Sequence, residues 1–346
     1  MLKPYIAKAI KREHLTAQQA EEAMNIIMTG QATPAQIGAY LVALRMKGET
    51  VDEITGSARA MRANAVRVTP KLKGEALYDT AGTGGDGAGT FNISTAAAFI
   101  IAGTGRKVAK HGNRAASSQC GSADVLATLG VSLDLTPEQV GQAIDEVGIG
   151  FLFAPKFHPA MKHAVGPRKE IGQRTIFNVL GPLTNPAGAN VQVIGVYDPA
   201  LTEPLARVLS ELGARAAYVI HGHGGTDELN PCGPNRVSHL KDGAVRTFDL
   251  DPADLGLERG PLADLRGGTP DDNAKLMRDL LAGPPGVNGV RRNAALLNAA
   301  AALAAETGDL PTALEEAREA LDSGAALGKL NALIEYSQAH APKPVD

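Results

Sequence analysis

Apolar residues in the first 65 or so positions recur at helical spacing. Ile37, Leu41, Leu44 and Met46 fall close to one face, as expected of a helix packed on its neighbours or offering a face to a partner subunit. Thr16-x-x-Gln19 and Thr50-x-x-Glu53 are capping boxes, and Thr33-Pro34 supplies an N-cap followed by proline at the first helical position. Gly30 and Gly48 are placed to end the intervening helices. From Ala76 the pattern changes. Short apolar runs near 76–80, 106–111, 191–197 and 216–221 alternate with helical segments near 94–103, 121–129, 137–147 and 202–212. That alternation predicts a largely parallel sheet. A Gly- and Pro-rich stretch at 166–190 interrupts it with a helical pattern. Residues 231–270 are turn-rich, with a short strand at 245–248. Residues 294–305, apolar apart from Asn298, read as a buried helix too short for a membrane span. Residues 342–346 read as a frayed tail. There is no internal repeat. The expected fold is α/β: a small all-helical N-terminal domain, then a larger α/β domain with a mainly parallel central sheet.

The richest chemistry follows the first strand, in Asp79-Thr80-Ala81-Gly82-Thr83-Gly84-Gly85-Asp86-Gly87, with Asn92-Ile93-Ser94-Thr95 soon after. Strand, glycine loop and helix N-terminus form a phosphate-binding arrangement, because glycines let the backbone approach and free N–H groups favour an anion. A bare turn is the plain alternative. Asp86 is unusual in a phosphate cradle and suits a sugar hydroxyl or a metal–phosphate ligand. Gly82-x-Gly84-x-x-Gly87 also matches the dinucleotide fingerprint, but the helix opens too late and the next strand ends in Lys110-His111 where an acid is required. No Gly-Lys-Ser/Thr follows, which excludes a P-loop.

Three further segments carry candidate groups. Lys110-His111-Gly112-Asn113-Arg114-Ala115-Ala116-Ser117-Ser118 follows the second strand, at the same sheet edge. Its two fixed charges and neutral donors suit a polyphosphate, although a solvated basic loop has the same composition. Asp227-Glu228, in a glycine-rich loop after the strand at 217–220, suits a hard cation held together with substrate oxygens. The plain alternative is a pair of helix N-terminal acids. His221 and His223 lack further ligands at zinc spacing. Arg168 is expected at the start of a helix, where it offers a carboxylate bidentate recognition or is simply a surface arginine.

Composition narrows the classes. The chain has 346 residues, enough for two domains, and a hydrophobic content of 44%. A net charge of −3 argues against bulk nucleic-acid binding. Cys120 and Cys232 are too few for a disulfide framework and suit a reducing cytoplasm, with Cys120 read as a buried, inert thiol. Met1-Leu2-Lys3-Pro4 lacks the apolar core of a signal peptide.

Taken together and in this order, the motifs resemble anthranilate phosphoribosyltransferase, of the nucleoside phosphorylase/phosphoribosyltransferase superfamily. The pieces that match are 79–86, 92–95, 110–118, Arg168 with Arg174-Thr175-Ile176-Phe177-Asn178, Gly181-Pro182-Leu183-Thr184-Asn185-Pro186, and Asp227-Glu228. The resemblance spans nearly the whole chain. It implies transfer of a phosphoribosyl group from phosphoribosyl pyrophosphate to anthranilate, an early step of tryptophan synthesis, with Mg2+ as cofactor. It also implies a discontinuous helical domain, 1–69 with a piece at about 167–188, that forms a homodimer contact. The α/β domain would then be 70–166 and 189–346, with the substrates between the two.

Residue by residue, the resemblance places Gly82, Gly85, Asp86, Thr90, Asn92, Ile93, Ser94 and Thr95 against the phosphoribosyl donor. Lys110, His111, Gly112, Asn113, Arg114, Ala115, Ala116, Ser117 and Ser118 would close over the pyrophosphate, with Ser122 beside them. Ser94, Asp227 and Glu228 would hold magnesium. Gly82, Asn113 and Arg168 would hold anthranilate, with His111 nearby. The aniline nitrogen is neutral at pH 7, so no obligatory acid or base is assigned; Lys110 and His111 are the catalytic candidates, Lys110 through charge stabilisation of the leaving group. Two rivals stand beside this reading. One is a pyrimidine nucleoside phosphorylase, disfavoured by Asp227-Glu228 and the 82–86 loop. The other is a non-catalytic nucleic-acid-binding relative, disfavoured by Arg168, Asn113 and the acidic balance.

Overall fold

The computed structural model describes residues 2–115, 119–283 and 289–341. It opens with helices α1 (Lys3–Ile10), α2 (Ala17–Met28), α3 (Pro34–Lys47) and α4 (Val51–Ala63). The alternating part follows as β1 (Leu77–Gly82), α5 (Ile93–Gly103), β2 (Lys107–Gly112), α6 (Ser122–Thr128), α7 (Pro137–Glu146) and β3 (Ile149–Phe153). Three short helices come next, α8 (Ala154–Phe157), α9 (Lys162–Ile171) and α10 (Phe177–Leu180). The sheet resumes with β4 (Val191–Gly195), α11 (Thr202–Glu211), β5 (Ala216–His221), β6 (Asn235–Lys241) and β7 (Ala244–Leu250). The chain then forms α12 (Pro270–Leu281), α13 (Gly289–Leu303), α14 (Leu310–Asp322) and α15 (Ala325–His340). No described helix is long and apolar enough to cross a membrane.

The helix starts follow the local chemistry. Thr16, Thr33 and Thr50 each accept from the N–H three residues on, and Gln19, Gln36 and Glu53 return a bond to the cap, giving full capping boxes. Gly48 ends α3 at φ 88°, a conformation that other residues avoid. Ile37, Leu41 and Leu44 are buried as expected, but Met46 is not: it points outward and is 73% exposed.

The sheet order is β3-β2-β1-β4-β5-β6-β7. β3 to β5 are parallel, and β6 and β7 add an antiparallel hairpin. β3 and β6 were not among the expected strands. From β1 the chain builds outward through β2 and β3, then returns to the other side of β1 with β4. The crevice between the carboxyl ends of β1 and β4 is therefore the topological switch point, the usual ligand position in such a sheet.

Two cores flank the sheet. One is built on α5, buried over almost its whole length, with α12 to α15 and one sheet face. The other joins α1 to α4 with α9 to α11 and the opposite face of β4 and β5. α9 packs on α2 and α3, and α10 on α4.

Candidate functional site

Gly82 and Gly195 pair at the ends of β1 and β4. The loop after β5 brings Asp227 over both, and a Cβ on either glycine would collide with Asp227. The absence of side chains at the switch point thus makes room for a carboxylate. Asp227 Oδ2 accepts from the Gly84 N–H at 2.7 Å, and the Asp227 N–H donates to Asp86 Oδ2 at 3.1 Å. Glu228 Oε1 accepts from the Ser94 N–H at 3.1 Å. The first motif, the helix start and the acidic pair are therefore brought together. Asp227 and Glu228 lie in a loop and are not helix N-terminal acids. Burial raises the proton affinity of both carboxyls, and crowding with neighbouring acids raises it further. A hard cation would relieve that cost.

The glycine loop has the backbone that glycine alone adopts readily, with positive φ at Gly84, Gly85, Gly87 and Gly89. Asp86 Oδ1 accepts from the Ala88 N–H at 3.0 Å. Arg174 reaches across from the segment between α9 and α10, stacks 3.7 Å from the Tyr197 ring centroid and donates to the Gly85 carbonyl. Thr90 bridges to Arg266 in an isolated antiparallel pair. Asn92 is the N-cap position of α5, and its side chain donates to the Cys120 carbonyl and accepts from Asn273. Ile93 buries its side chain in the core and donates its N–H to the Phe91 carbonyl. Thr95 is buried, and its hydroxyl has no partner among the described residues.

Lys110 and His111 lie inside β2, within the strand expected at 106–111, and both are buried. The Lys110 ammonium donates to the Thr80 carbonyl within the sheet. Burial lowers its proton affinity, opposed by the charges of Asp79, Glu228 and Asp227. Gly112 ends the strand, where a Cβ would strike the Ser122 hydroxyl. Beyond it Asn113 and Arg114 are exposed. The Asn113 carbonyl accepts from Ser122, Arg114 pairs with Asp124 at 2.9 Å, and the Ala115 N–H also donates to Asp124. Ala116, Ser117 and Ser118 lie outside the described residues.

Arg168 sits in the last turn of α9, not at a helix start. Its guanidinium lies 5.1 Å from the Phe177 ring centroid and has no ion pair among the described residues. His158, at the end of α8, is a further buried group here, its ring centroid 5.2 Å from that of His111. Both rings are buried, and among the described residues neither Nε2 has a partner, nor does the hydroxyl of Thr175. Burial pushes His111 down to about 3 and His158 to about 4. Nothing in the local sequence marks His158, because its role depends on the approach of β2 from another part of the chain. A concavity of about 530 Å3 on the far edge of the sheet, beside Tyr218, His239 and Arg246, contains none of these motif residues.

Comparison with known proteins fits this architecture. The family described as glycosyl transferase family, a/b domain, matches residues 74–327, and its companion, the helical bundle domain, matches residues 3–65. The anthranilate phosphoribosyltransferase of Moorella thermoacetica is 55% identical over 343 residues, covering 99% of this chain and all of the relative. That of Symbiobacterium thermophilum is 54% identical, covering 97% and 98%. Among solved structures, the Thermus thermophilus enzyme superposes with a TM-score of 0.91 at 46% identity, covering 96% of this chain and 99% of that one. The Saccharomyces cerevisiae enzyme, solved in complex with phosphoribosyl pyrophosphate and magnesium, gives 0.87 at 30% identity, covering 98% of each. With two family domains matched in order, and full-length relatives above half identity, the chain belongs to the anthranilate phosphoribosyltransferase family.

Proposed function

We infer that this protein transfers the phosphoribosyl group of phosphoribosyl pyrophosphate to the amine of anthranilate, giving phosphoribosyl anthranilate and pyrophosphate. The observation that carries the reading is the convergence of Gly84, Asp86, Ser94, Asp227 and Glu228 at the switch point, tied by backbone-to-carboxylate bonds of 2.7 to 3.1 Å. A neutral phosphate cradle would not require buried acids. A donor bound with a divalent cation does, because Mg2+ takes one or two carboxylates and completes its shell with substrate oxygens and water.

Ser94, Asp227 and Glu228 would hold the magnesium. Bound Mg2+ supplies positive charge against the departing pyrophosphate. The glycine loop and the Thr90, Asn92 to Thr95 segment would seat the phosphoribosyl moiety, and the 110–118 segment with Ser122 the pyrophosphate. Gly82, Asn113 and Arg168 would orient anthranilate, with the guanidinium of Arg168, which has no ion pair among the described residues, matching its carboxylate. The amine nitrogen is already neutral and needs no base. His111, held far below its ordinary pKa by burial, is a weak proton acceptor at neutral pH and serves better to orient. Much of the rate would come from positioning two substrates and from charge stabilisation. A homodimer built through the helical domain and a cytoplasmic location belong to the same reading.

The test is the fluorescence of anthranilate followed with phosphoribosyl pyrophosphate and magnesium. A fall in signal that needs all three components supports the transferase. No fall from folded protein overturns it and moves attention to phosphate with thymidine or uridine.

A further inference from the structure

β1 and β2 are not laddered along their whole length. Leu77 pairs with Lys107 and Tyr78 with Val108, whereas β1 stays paired with β4 as far as Gly82 and β2 with β3 as far as Gly112. Side chains take up the backbone groups along the open seam. The His111 N–H donates to Asp79 Oδ1 at 3.2 Å. Asn185 Nδ2 donates to both the Ala109 carbonyl and Asp79 Oδ2, each at 2.8 Å, while its Oδ1 accepts from the Ala187 N–H. The Lys110 ammonium closes on the Thr80 carbonyl. Asp79, Asn185 and Lys110 are all buried.

A buried seam of charges is a costly way to join two strands, since ordinary ladder bonds would satisfy the same backbone. Its position suggests what it is for. The Thr80 hydroxyl donates to the Ser94 carbonyl at 2.8 Å, and the Ser94 N–H meets Glu228. The seam thus runs directly into the carboxylate cluster, with Lys110 at the junction. The residues on either side of Lys110 are both pinned, Ala109 by Asn185 and His111 by Asp79.

We propose that Asp79 and Asn185 are positioning residues that hold β2 away from β1 and fix the Lys110 ammonium beneath the site where the pyrophosphate departs. The proposal rests on the transferase reading above. Asp79 supplies both an acceptor for the neighbouring amide and a countercharge for Lys110. Asn185 occupies the second oxygen of Asp79 and so sets its orientation. Neither residue touches the substrates; both act through Lys110.

The experiment is a kinetic double-mutant cycle on the full chain, with Asp79→Asn, Lys110→Met and the pair together, and with Asn185→Leu as an independent variant that keeps Asp79. Folding of each is checked by thermal melting. Asp79→Asn and Asn185→Leu are expected to lower kcat about tenfold or more while the anthranilate KM stays within about twofold. In the Lys110→Met background, Asp79→Asn should lower kcat by less than about twofold further, because its partner is already gone. A purely structural role would shift the melting temperature and leave the cycle additive, and additivity overturns the proposal. Should Asp79→Asn fail to fold, the same cycle is run with Asn185→Leu. Hydrogen exchange at the His111 amide, expected about tenfold faster in both single variants, needs no substrate. If the wild type is inactive with anthranilate, the transferase reading fails, and unchanged exchange then overturns the seam as well. An active wild type whose variants exchange faster yet keep their kcat overturns positioning alone.

Discussion

Arg168 gives a single-residue test of the acceptor site. Its guanidinium stacks on Phe177 and has no carboxylate partner among the described residues, and burial makes that charge costly to leave unpaired. Arg168→Ala should raise the KM for anthranilate about 10- to 100-fold, the range for losing a charge-assisted hydrogen-bonded pair, with a smaller effect on the donor KM. Arg168→Lys should recover only part, since a point charge lacks the planar fork. Steady-state kinetics with each substrate varied in turn decides it; equal rises in both KM values would remove Arg168 from the acceptor site. At this scale the sequence was legible wherever a residue type had to be what it is. Gly82 leaves space for Asp227, and Asp86 and Glu228 fall on amides that local motifs supply. His158 and the bond from Asn185 to Asp79 were illegible, because each partner arrives from a distant segment and neither leaves a local pattern.

Among the elements, α4 shows how a cap can carry more than a helix end. Glu53 completes the Thr50 box, and it also accepts from the Leu15 N–H at 2.9 Å and pairs with Lys47 at 2.8 Å, where both side chains are almost wholly buried. Removing one partner of such a pair strands the other charge. Glu53→Ala should therefore destabilise the protein by about 3–5 kcal/mol, far above the roughly 1 kcal/mol of an ordinary cap. A urea midpoint close to that of Thr16→Ala, an exposed cap, would show that the buried pair contributes little. The box itself was readable from Thr50-x-x-Glu53; its burial was not. β1, β2, β4 and β5 were readable for a similar reason, as short apolar runs set between helical segments. β3 was not expected, although its residues are apolar: Gly150 weakens the strand signal, and it is there because α7 packs too closely for a Cβ. β6 alternates across a turn-rich region, and pairing with β5 and β7 makes it a strand.

At the scale of the whole molecule, two measurable properties are stability against pH and self-association. His111 and His158 are buried side by side, and burial holds both neutral when folded. Their folded pKa values are depressed from 6.5, so the unfolded chain binds more protons below about 6.5. Their stabilisation is complete above that pH and is lost as pH falls towards about 4 for His158 and about 3 for His111. Asp79, raised by burial to about 6, acts in the opposite sense, gaining stability as pH falls from about 6. Comparing wild type with His158→Gln removes one histidine, and His111, held low mainly by burial, stays neutral in both down to pH 5. Between pH 6.5 and 5 the wild type should lose about 2 kcal/mol more than the variant in denaturant unfolding. Parallel stability curves would mean that His158 is not held neutral in the fold. The second property concerns α3. Ile37, Tyr40, Leu41 and Leu44 face inward, yet Val42 and Met46, one turn apart, face solvent at 41% and 73% exposure. Ile10 on α1 and Val165 on α9, helices that both pack on α3, are also bare. A helix apolar on both sides is normally covered on both. A second copy of the chain is the cover expected here, because a two-fold contact meets this face with the same face. The 35.8 kDa chain should then sediment at twice that mass, and Val42→Glu with Met46→Glu should return it to the mass of one chain without a loss in melting temperature of the isolated fold. A wild type that sediments as a single chain at micromolar concentration would leave the face uncovered and the dimer reading without support.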